Sequence, residues 1–85
     1  MMADKEKTRH QLAIAKGQLE GILRMIDENA YCLDISNQLL ATISLLRKVN
    51  ADVLEAHLAH CVKESEGEEK DEKLKEISSL LRRLV

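Results

Sequence analysis

The chain has 85 residues, of which 45% are hydrophobic and 33% are charged, and its formal net charge is -2. A chain of this length holds one domain, whose small core is marginal without a partner or a metal. The slight acidic excess excludes attraction to a polyanion through overall charge, so any nucleic-acid binding requires a local basic patch.

The composition predicts an all-α fold. Proline, phenylalanine and tryptophan are absent, and there are only three glycines. Such a composition disfavours turn-rich β architectures and suits long helices packed through Leu, Ile, Val and Ala. We expect a single helical domain over residues 1–85. No stretch is apolar enough to span a membrane and the amino terminus does not resemble a secretory signal, so we expect a cytoplasmic protein.

The first predicted element is a helix over about residues 4–28. Apolar residues recur there at steps of three and four, the spacing of one helical stripe. They are Leu12, Ala15, Leu19, Ile22 and Ile26. Gly17 and Gly21 lie four residues apart in this helix. They indicate either a place where another backbone comes close or a tolerated local weakness.

A short turn follows, because residues 27–30 are polar and Asn29 tolerates the left-handed conformation found after helix ends. The second helix is predicted over residues 33–63. Its heptad-spaced residues are Ile35, Leu39, Thr42, Leu46, Val49, Val53 and Ala56. A neighbouring stripe contains Leu40, Ile43, Leu54, His57 and Cys61. Two adjacent apolar stripes exceed what one partner helix covers, so we expect packing against a second chain.

The third predicted helix spans residues 70–84 and follows a solvated acidic connection over residues 64–69. Its apolar residues again step by three and four, and they are Leu74, Ile77, Leu81 and Leu84. A helix of this length is marginal alone and must dock on another helix.

The chemistry-bearing residues are Cys32, at the start of the second helix, and His57 and Cys61, one turn apart near its end. A histidine or cysteine on an apolar stripe is also typical of ordinary packing. About 37 Å of continuous helix separates Cys32 from His57, since the rise is about 1.5 Å per residue. One chain therefore cannot bring the three together, nor can it form a Cys32–Cys61 disulfide.

An antiparallel dimer would place Cys32 of one subunit beside His57 and Cys61 of the other subunit. Two thiolates and one imidazole form a soft, low-coordinate donor set that favours Cu(I) and lacks the fourth ligand of a closed zinc site. His60 is the alternative fourth ligand, although its position on the stripe between helices favours packing. His10 has no ligand at helical spacing.

Three segments resemble the CsoR/RcnR/FrmR family of metal-sensing repressors: Gly-Gln-Leu-Glu-Gly-Ile at 17–22, Tyr-Cys-Leu-Asp-Ile at 31–35, and Glu-Ala-His-Leu-Ala-His-Cys-Val at 55–62. The resemblance implies a three-helix protomer that forms an antiparallel four-helix dimer, usually as a dimer of dimers, without a helix-turn-helix reader. In the copper-sensing branch, a Cys-His-Cys set binds Cu(I) between subunits, and metal binding releases operator DNA.

The same resemblance separates the branches. Nickel and cobalt sensors add an amino-terminal histidine that this chain lacks, the persulfide sensors lack the histidine at position 57, and the formaldehyde sensors lack the last cysteine. Retention of Cys32, His57 and Cys61 therefore favours copper. The family also places a tyrosine beside the first cysteine and a third-helix glutamate in hydrogen-bonding contact with the histidine. Tyr31 matches, and Glu72 or Glu76 would serve.

One departure from the family concerns the first helix, where arginines form the DNA-binding face. The corresponding positions are Gln11, Ile14 and Glu20. Each lost phosphate contact weakens DNA binding and reduces its salt dependence. The remaining cations are the candidates for a DNA-binding patch: Lys5, Lys7, Arg9, Lys16, Arg24, Arg47 and Lys48.

Two hypotheses follow. The first is a Cu(I)-responsive transcriptional repressor that binds operator DNA in the apo form as a homodimer or homotetramer. The second is a protein of the same fold that buffers copper or senses persulfide, with weak or no DNA binding. An enzyme is not expected, because no segment offers a nucleophile, a base and an oxyanion donor together.

Overall fold

The computed structural model describes residues 1–64 and 67–83. Within these two ranges the chain forms three helices, α1 (Lys5–Asp27), α2 (Cys32–Glu64) and α3 (Gly67–Arg82). The described residues contain no strand, so the predicted all-α class is confirmed. None of the helices is both long enough and apolar enough to cross a bilayer, within the described residues.

Local hydrogen bonds set the ends of α1. Asp4 caps its start, because the Asp4 carboxylate accepts a hydrogen bond from the Lys7 backbone N–H at 3.1 Å. At the other end the Glu28 N–H donates to the Arg24 carbonyl. Asn29 then adopts a φ of 56°, the left-handed conformation expected from the sequence. The chain reverses within residues 28–31, so α1 and α2 pack antiparallel.

The third helix begins earlier than expected. The sequence predicts a solvated connection over residues 64–69, but α2 includes Glu64 and α3 begins at Gly67. The acidic residues at 68 and 69 therefore lie in the first turn of α3, where the helix dipole favours negative charge. The absence of apolar periodicity in this segment hides that start. The expected apolar residue Leu84 lies outside the described residues.

The protomer has a small core and a flat shape. Its buried residues, among those described, are Ala15, Ile22, Thr42, Val49 and Ile77. The helices contact one another in chain order, α1 with α2 and α2 with α3. The molecule measures 56 × 26 × 12 Å, and its radius of gyration is 17.1 Å. A compact chain of this length has a radius of gyration of roughly 12 Å, so the protomer is extended and close to one helix layer thick.

One side of the α1–α2 pair exposes a continuous set of large apolar side chains. We call this set the apolar face, and its members are Leu12, Leu19, Leu23 and Ile26 of α1 and Leu39, Ile43 and Leu46 of α2. Viewed from one end of the pair, the residue order proceeds clockwise around one antiparallel helix and counterclockwise around the other. The α1 stripe beside Ala15 and the α2 stripe beside Val49 therefore lie on the same side of the pair.

The apolar face differs from the core expected for α1. Leu12, Leu19 and Ile26 belong to the predicted stripe, yet they are 45%, 47% and 52% exposed. Helix α2 covers only the side of that stripe nearest to it, at Ala15 and Ile22. The surplus of apolar surface that the sequence predicts for the second helix is also present, since Leu39, Ile43 and Leu46 are 41%, 42% and 40% exposed. Exposed apolar patches of this extent mark interaction surfaces.

The two glycines of α1 do not face a backbone inside the protomer. A β-carbon at Gly17 would meet nothing within 4 Å, and one at Gly21 would meet only Arg24 Nη2 at 3.7 Å. The expected close approach of another backbone is therefore not made by the described part of this chain.

A side-chain hydrogen bond fixes α1 against α2. Thr42 is 3% exposed, and its hydroxyl lies 2.8 Å from Gln18 Oε1 and 3.2 Å from the Gln38 carbonyl oxygen. The hydroxyl has one proton and two acceptors in reach, one of them on the neighbouring helix. Because the Gln18 amide is half-buried, this bond sets the longitudinal register of the two helices.

We predict that Thr42→Val lowers the free energy of unfolding by about 1–2 kcal/mol, since it leaves a half-buried amide oxygen without its donor. Urea unfolding at one fixed protein concentration measures this. Thr8→Val is the control, because the Thr8 hydroxyl contacts only the Asp4 carbonyl oxygen in an exposed turn. Equal losses in the two variants would show that the interhelical bond has no special weight.

Candidate metal centre

The predicted metal ligands all belong to α2. Cys32 is its first residue and its side chain is exposed. His57 is also exposed, near the other end of the helix. The backbone of Cys61 lies in the last turns of α2, and its side chain is outside the described part of the structure.

These positions share one side of α2. The 25 residues from Cys32 to His57 correspond to about seven complete turns, and Cys61 follows His57 by about one turn. The same side contains Leu39, Ile43 and Leu46 of the apolar face. The candidate ligands therefore lie at the two ends of the exposed apolar stripe of α2.

The length of α2 keeps the two ends apart. The helix is continuous from Cys32 to Glu64, so about 37 Å separates Cys32 from His57 along its axis. No group of three His, Cys, Asp or Glu side chains able to hold a metal occurs among the described residues of one protomer. The same continuity excludes an intrachain Cys32–Cys61 disulfide, whose Cα atoms would have to lie within about 7 Å.

The residues expected to support the site lie on two elements. Tyr31 is 65% exposed, and its carbonyl oxygen accepts the Asp34 and Ile35 N–H groups that start α2. Glu72 and Glu76 are exposed and one turn apart on α3, which packs against α2. Tyr31 thus positions Cys32 through the backbone, a role that the sequence pattern does not reveal.

The other two histidines occupy different surroundings. His60 is half-buried, and it lies about 60° around α2 from His57. His10 is exposed on α1, away from α2. His60 therefore lies outside the side of α2 that contains Cys32 and His57, and His10 belongs to a different helix.

The predicted DNA-binding cations do not form one patch in the protomer. Lys5, Arg9 and Lys16 line a groove along the outer edge of α1, together with Met1 and Leu12. Lys7 lines a different groove, in which Asp52 and Glu55 balance its charge. The remaining candidates are exposed at separate positions, namely Arg24, Arg47 and Lys48.

The three positions at which the resembled family has arginines also lie in different surroundings. Gln11 is half-buried and lines the groove of Lys7, whereas Ile14 and Glu20 are exposed. The stripe of Lys5, Arg9 and Lys16 is therefore the largest concentration of positive charge on α1.

Comparison with known proteins defines the class. The model of the metal-sensitive transcriptional repressor family matches residues 4–83. The copper-sensing transcriptional repressor RicR of Mycobacterium tuberculosis is 40% identical over 84 residues, which cover 95% of this chain and 88% of the relative. The chain belongs to the metal-sensitive transcriptional repressors.

Two further relatives have the same kind of name. The copper-sensing transcriptional repressor CsoR of Bacillus subtilis is 33% identical over 70 residues, covering 78% of this chain and 69% of the relative. The protein of that name from Mycobacterium ulcerans is 39% identical over 61 residues, covering 71% of this chain. The match spans about half, 52%, of that relative's length.

We predict a distance of roughly 35–40 Å between positions 32 and 57 of one chain, set by the rise of an unbroken helix. Spin labels at Cys32 and at a cysteine introduced by His57→Cys, in a Cys61→Ser background, report this distance by pulsed electron resonance. Dilution with unlabelled chains isolates the intrachain value. A distance near 20 Å in diluted samples would contradict the continuity of α2.

Proposed function

We propose that the protein is a copper(I)-responsive transcriptional repressor that binds operator DNA in its metal-free form and releases the DNA when Cu(I) is bound. The observation that carries the proposal is the position of two thiol residues and one imidazole at opposite ends of one exposed apolar stripe. Such a set is incomplete within one chain. It becomes complete when two chains pack their apolar faces antiparallel.

The antiparallel arrangement follows from a two-fold axis that passes the middle of α2. Cys32 then meets His57 of the partner subunit and Cys61 of the partner subunit, and the symmetric site forms at the other end. The same axis packs the α2 stripe that contains Leu39, Ile43 and Leu46 against the same stripe of the partner subunit. Burial of a leucine is worth about 1.5–3 kcal/mol, so this face favours an obligate dimer. Two such dimers form the tetramer that the family resemblance implies.

The donor set fits Cu(I). Thiolates are soft ligands that select Cu(I), and two thiolates with one imidazole satisfy a low coordination number, whereas structural zinc takes four ligands. When bound, Cu(I) supplies a cross-link between the two subunits. A hydrogen bond that the non-ligating ring N–H of His57 donates to the Tyr31 hydroxyl oxygen or to the carboxylate of Glu72 or Glu76 would hold the imidazole in its ligating orientation.

Regulation requires coupling between this site and the DNA surface. The cationic groove of Lys5, Arg9 and Lys16 is the basic surface that we assign to phosphate contacts. Cross-linking of the two α2 helices changes the relative position of the two α1 helices and their cations. Thermodynamic linkage then requires that DNA weakens Cu(I) binding by the same factor by which Cu(I) weakens DNA binding. The proposed location of this activity is the cytoplasm.

A second candidate is a copper buffer or persulfide sensor of the same fold. It is favoured by Gln11, Ile14 and Glu20, which stand where the resembled family has cations and which cannot neutralise phosphates. Under this alternative the site binds Cu(I), or the thiols react with sulfur, while operator binding is weak or absent.

Subunit mixing tests the metal site. We expect Cys32→Ala and His57→Ala to bind Cu(I) poorly when each is assembled alone. In a mixed dimer, Cys32 of one chain meets His57 and Cys61 of the other chain, so one of the two sites is whole. Competition with a chromogenic Cu(I) chelator should therefore recover about one tight site per mixed dimer.

The control for this experiment is His60→Ala, which removes a half-buried histidine of the same helix that lies about 100° around it from Cys61. It should retain two tight sites per dimer. Mixed dimers with confirmed composition and no recovered site would place the ligands elsewhere and overturn the proposed arrangement.

DNA binding is the test of the repressor. Duplexes selected from a random pool by the apo protein should be released on addition of one Cu(I) per site, and Cys61→Ser should bind the same duplexes without release. Lys16→Gln should weaken binding and reduce the slope of log K against log salt by about one, the effect of one lost phosphate contact. No selected sequence, combined with tight Cu(I) binding, would favour the buffering alternative.

A further inference from the structure

The register of α1 against α2 is fixed at two places. Residues 28–31 join the end of α1 to the start of α2, and Gln18 lies level with Thr42 because their side chains hydrogen-bond at 2.8 Å. Counting in opposite directions from this bond brings Ile14 and Ala15 level with Leu46 and Leu45. A level close to the middle of α2 therefore coincides with a level close to the middle of α1.

The metal site proposed above fixes the level of the two-fold axis, and the present inference rests on that proposal. The axis must pass halfway between Cys32 and the turn that contains His57 and Cys61, which is the level of Leu45 and Leu46. It runs across the apolar face, perpendicular to both helices. At the same level it passes Ile14 and Ala15, so each α1 lies antiparallel against α1 of the second copy.

Two opposite charges lie symmetrically about this level. Arg9 precedes it and Glu20 follows it by five to six residues, about 8 Å along the helix axis in each direction. The two residues are separated by about three turns, so they share one side of α1. Both side chains are exposed beside Leu12, Lys16 and Leu23, at the edge of the apolar face.

We propose that the Glu20 carboxylate pairs with Arg9 of the partner subunit at the edge of the apolar face, where the two α1 helices of the proposed dimer lie side by side. The pair forms twice per dimer because the axis is two-fold. In a coiled coil, charged residues beside the apolar seam determine which helix binds and in which orientation. Glu20 and Arg9 lie in the same way beside the apolar face. Without Glu20, the edge would bring together only the cations of two grooves, Lys5, Arg9 and Lys16 from each chain.

A competing partner exists within the same chain. Lys16 precedes Glu20 by one turn, and pairs at this spacing stabilise an isolated helix. The intrachain pair and the interchain pair predict different responses to charge reversal. An interchain pair changes the dimer dissociation constant and couples position 20 to position 9, whereas an intrachain pair couples position 20 to position 16.

Charge reversal in the full-length apo protein tests the pair. We expect Glu20→Arg and Arg9→Glu each to raise the dimer dissociation constant about tenfold at low salt, because two exposed attractive pairs become repulsive. The double variant should return the constant to within about twofold of the parent. Glu6→Arg, on the outer side of α1, makes the same charge change and should leave the constant unchanged. Sedimentation over a concentration series measures all four.

A second measurement does not depend on stability. In Arg9→Lys protein, a carbodiimide should join the introduced amine to the Glu20 carboxylate as an amide, with loss of water. About 16 Å of helix separates the two positions within one chain, so this cross-link reports only the interchain contact. Peptide mass spectrometry of mixed isotope-labelled chains identifies it.

Additive effects in the double variant, or rescue of Glu20→Arg by Lys16→Glu and not by Arg9→Glu, would overturn the proposal. Subunit mixing with Cu(I) separates this failure from failure of the metal site. If Cu(I) sites are recovered but the double variant is not rescued, the antiparallel packing of the two α2 helices stands and the Glu20–Arg9 pair is rejected. If no Cu(I) site is recovered, the proposed two-fold arrangement is itself rejected.

Discussion

The unbroken length of α2 is the constraint on which the rest of the structure depends. A straight helix of 33 residues cannot fold back on itself, so residues near its two ends remain far apart in one protomer. It also offers more apolar surface than α1 and α3 cover. Both consequences leave the protomer incomplete, since its candidate metal ligands are divided between the two ends and its largest apolar face is exposed.

These two forms of incompleteness coincide on one side of the molecule. Cys32 and His57 lie at the ends of the stripe whose centre contains Leu39, Ile43 and Leu46. Packing that covers the leucines therefore also determines which ligands meet. In the proposed dimer, the hydrophobic effect supplies most of the association free energy because it is non-directional and scales with area. The metal ligands and edge charges supply the register.

The charged residues have correspondingly different roles. The net charge of the chain is slightly negative, yet Lys5, Arg9 and Lys16 concentrate positive charge along one edge of α1. This edge adjoins the apolar face, so the proposed dimer brings two such edges together. In that dimer, a single acid at position 20 has more influence on assembly than its exposure suggests, because it offsets repulsion between like charges at close range.

The sequence by itself determined the helices and the identity of the candidate ligands. Local spacing was sufficient, because a helix places residues three and four apart on one side, and Asp4 and Asn29 mark ends of α1 through short-range hydrogen bonding and backbone conformation. The start of α3 at Gly67 was missed because an acidic segment has no apolar period. The donor set itself favoured Cu(I), and the resemblance of residues 17–22, 31–35 and 55–62 to a known family added the expected dimer and the release of operator DNA.

Only the tertiary structure decided which apolar residues are buried. Leu12, Ala15, Leu19, Ile22 and Ile26 belong to one sequence stripe, but Ala15 and Ile22 alone are covered, because burial depends on where the neighbouring helix lies. The division of the cations between two grooves and the bond between Gln18 and Thr42 are likewise non-local. Periodicity describes one helix at a time, whereas register and burial arise from contacts between helices distant in the chain.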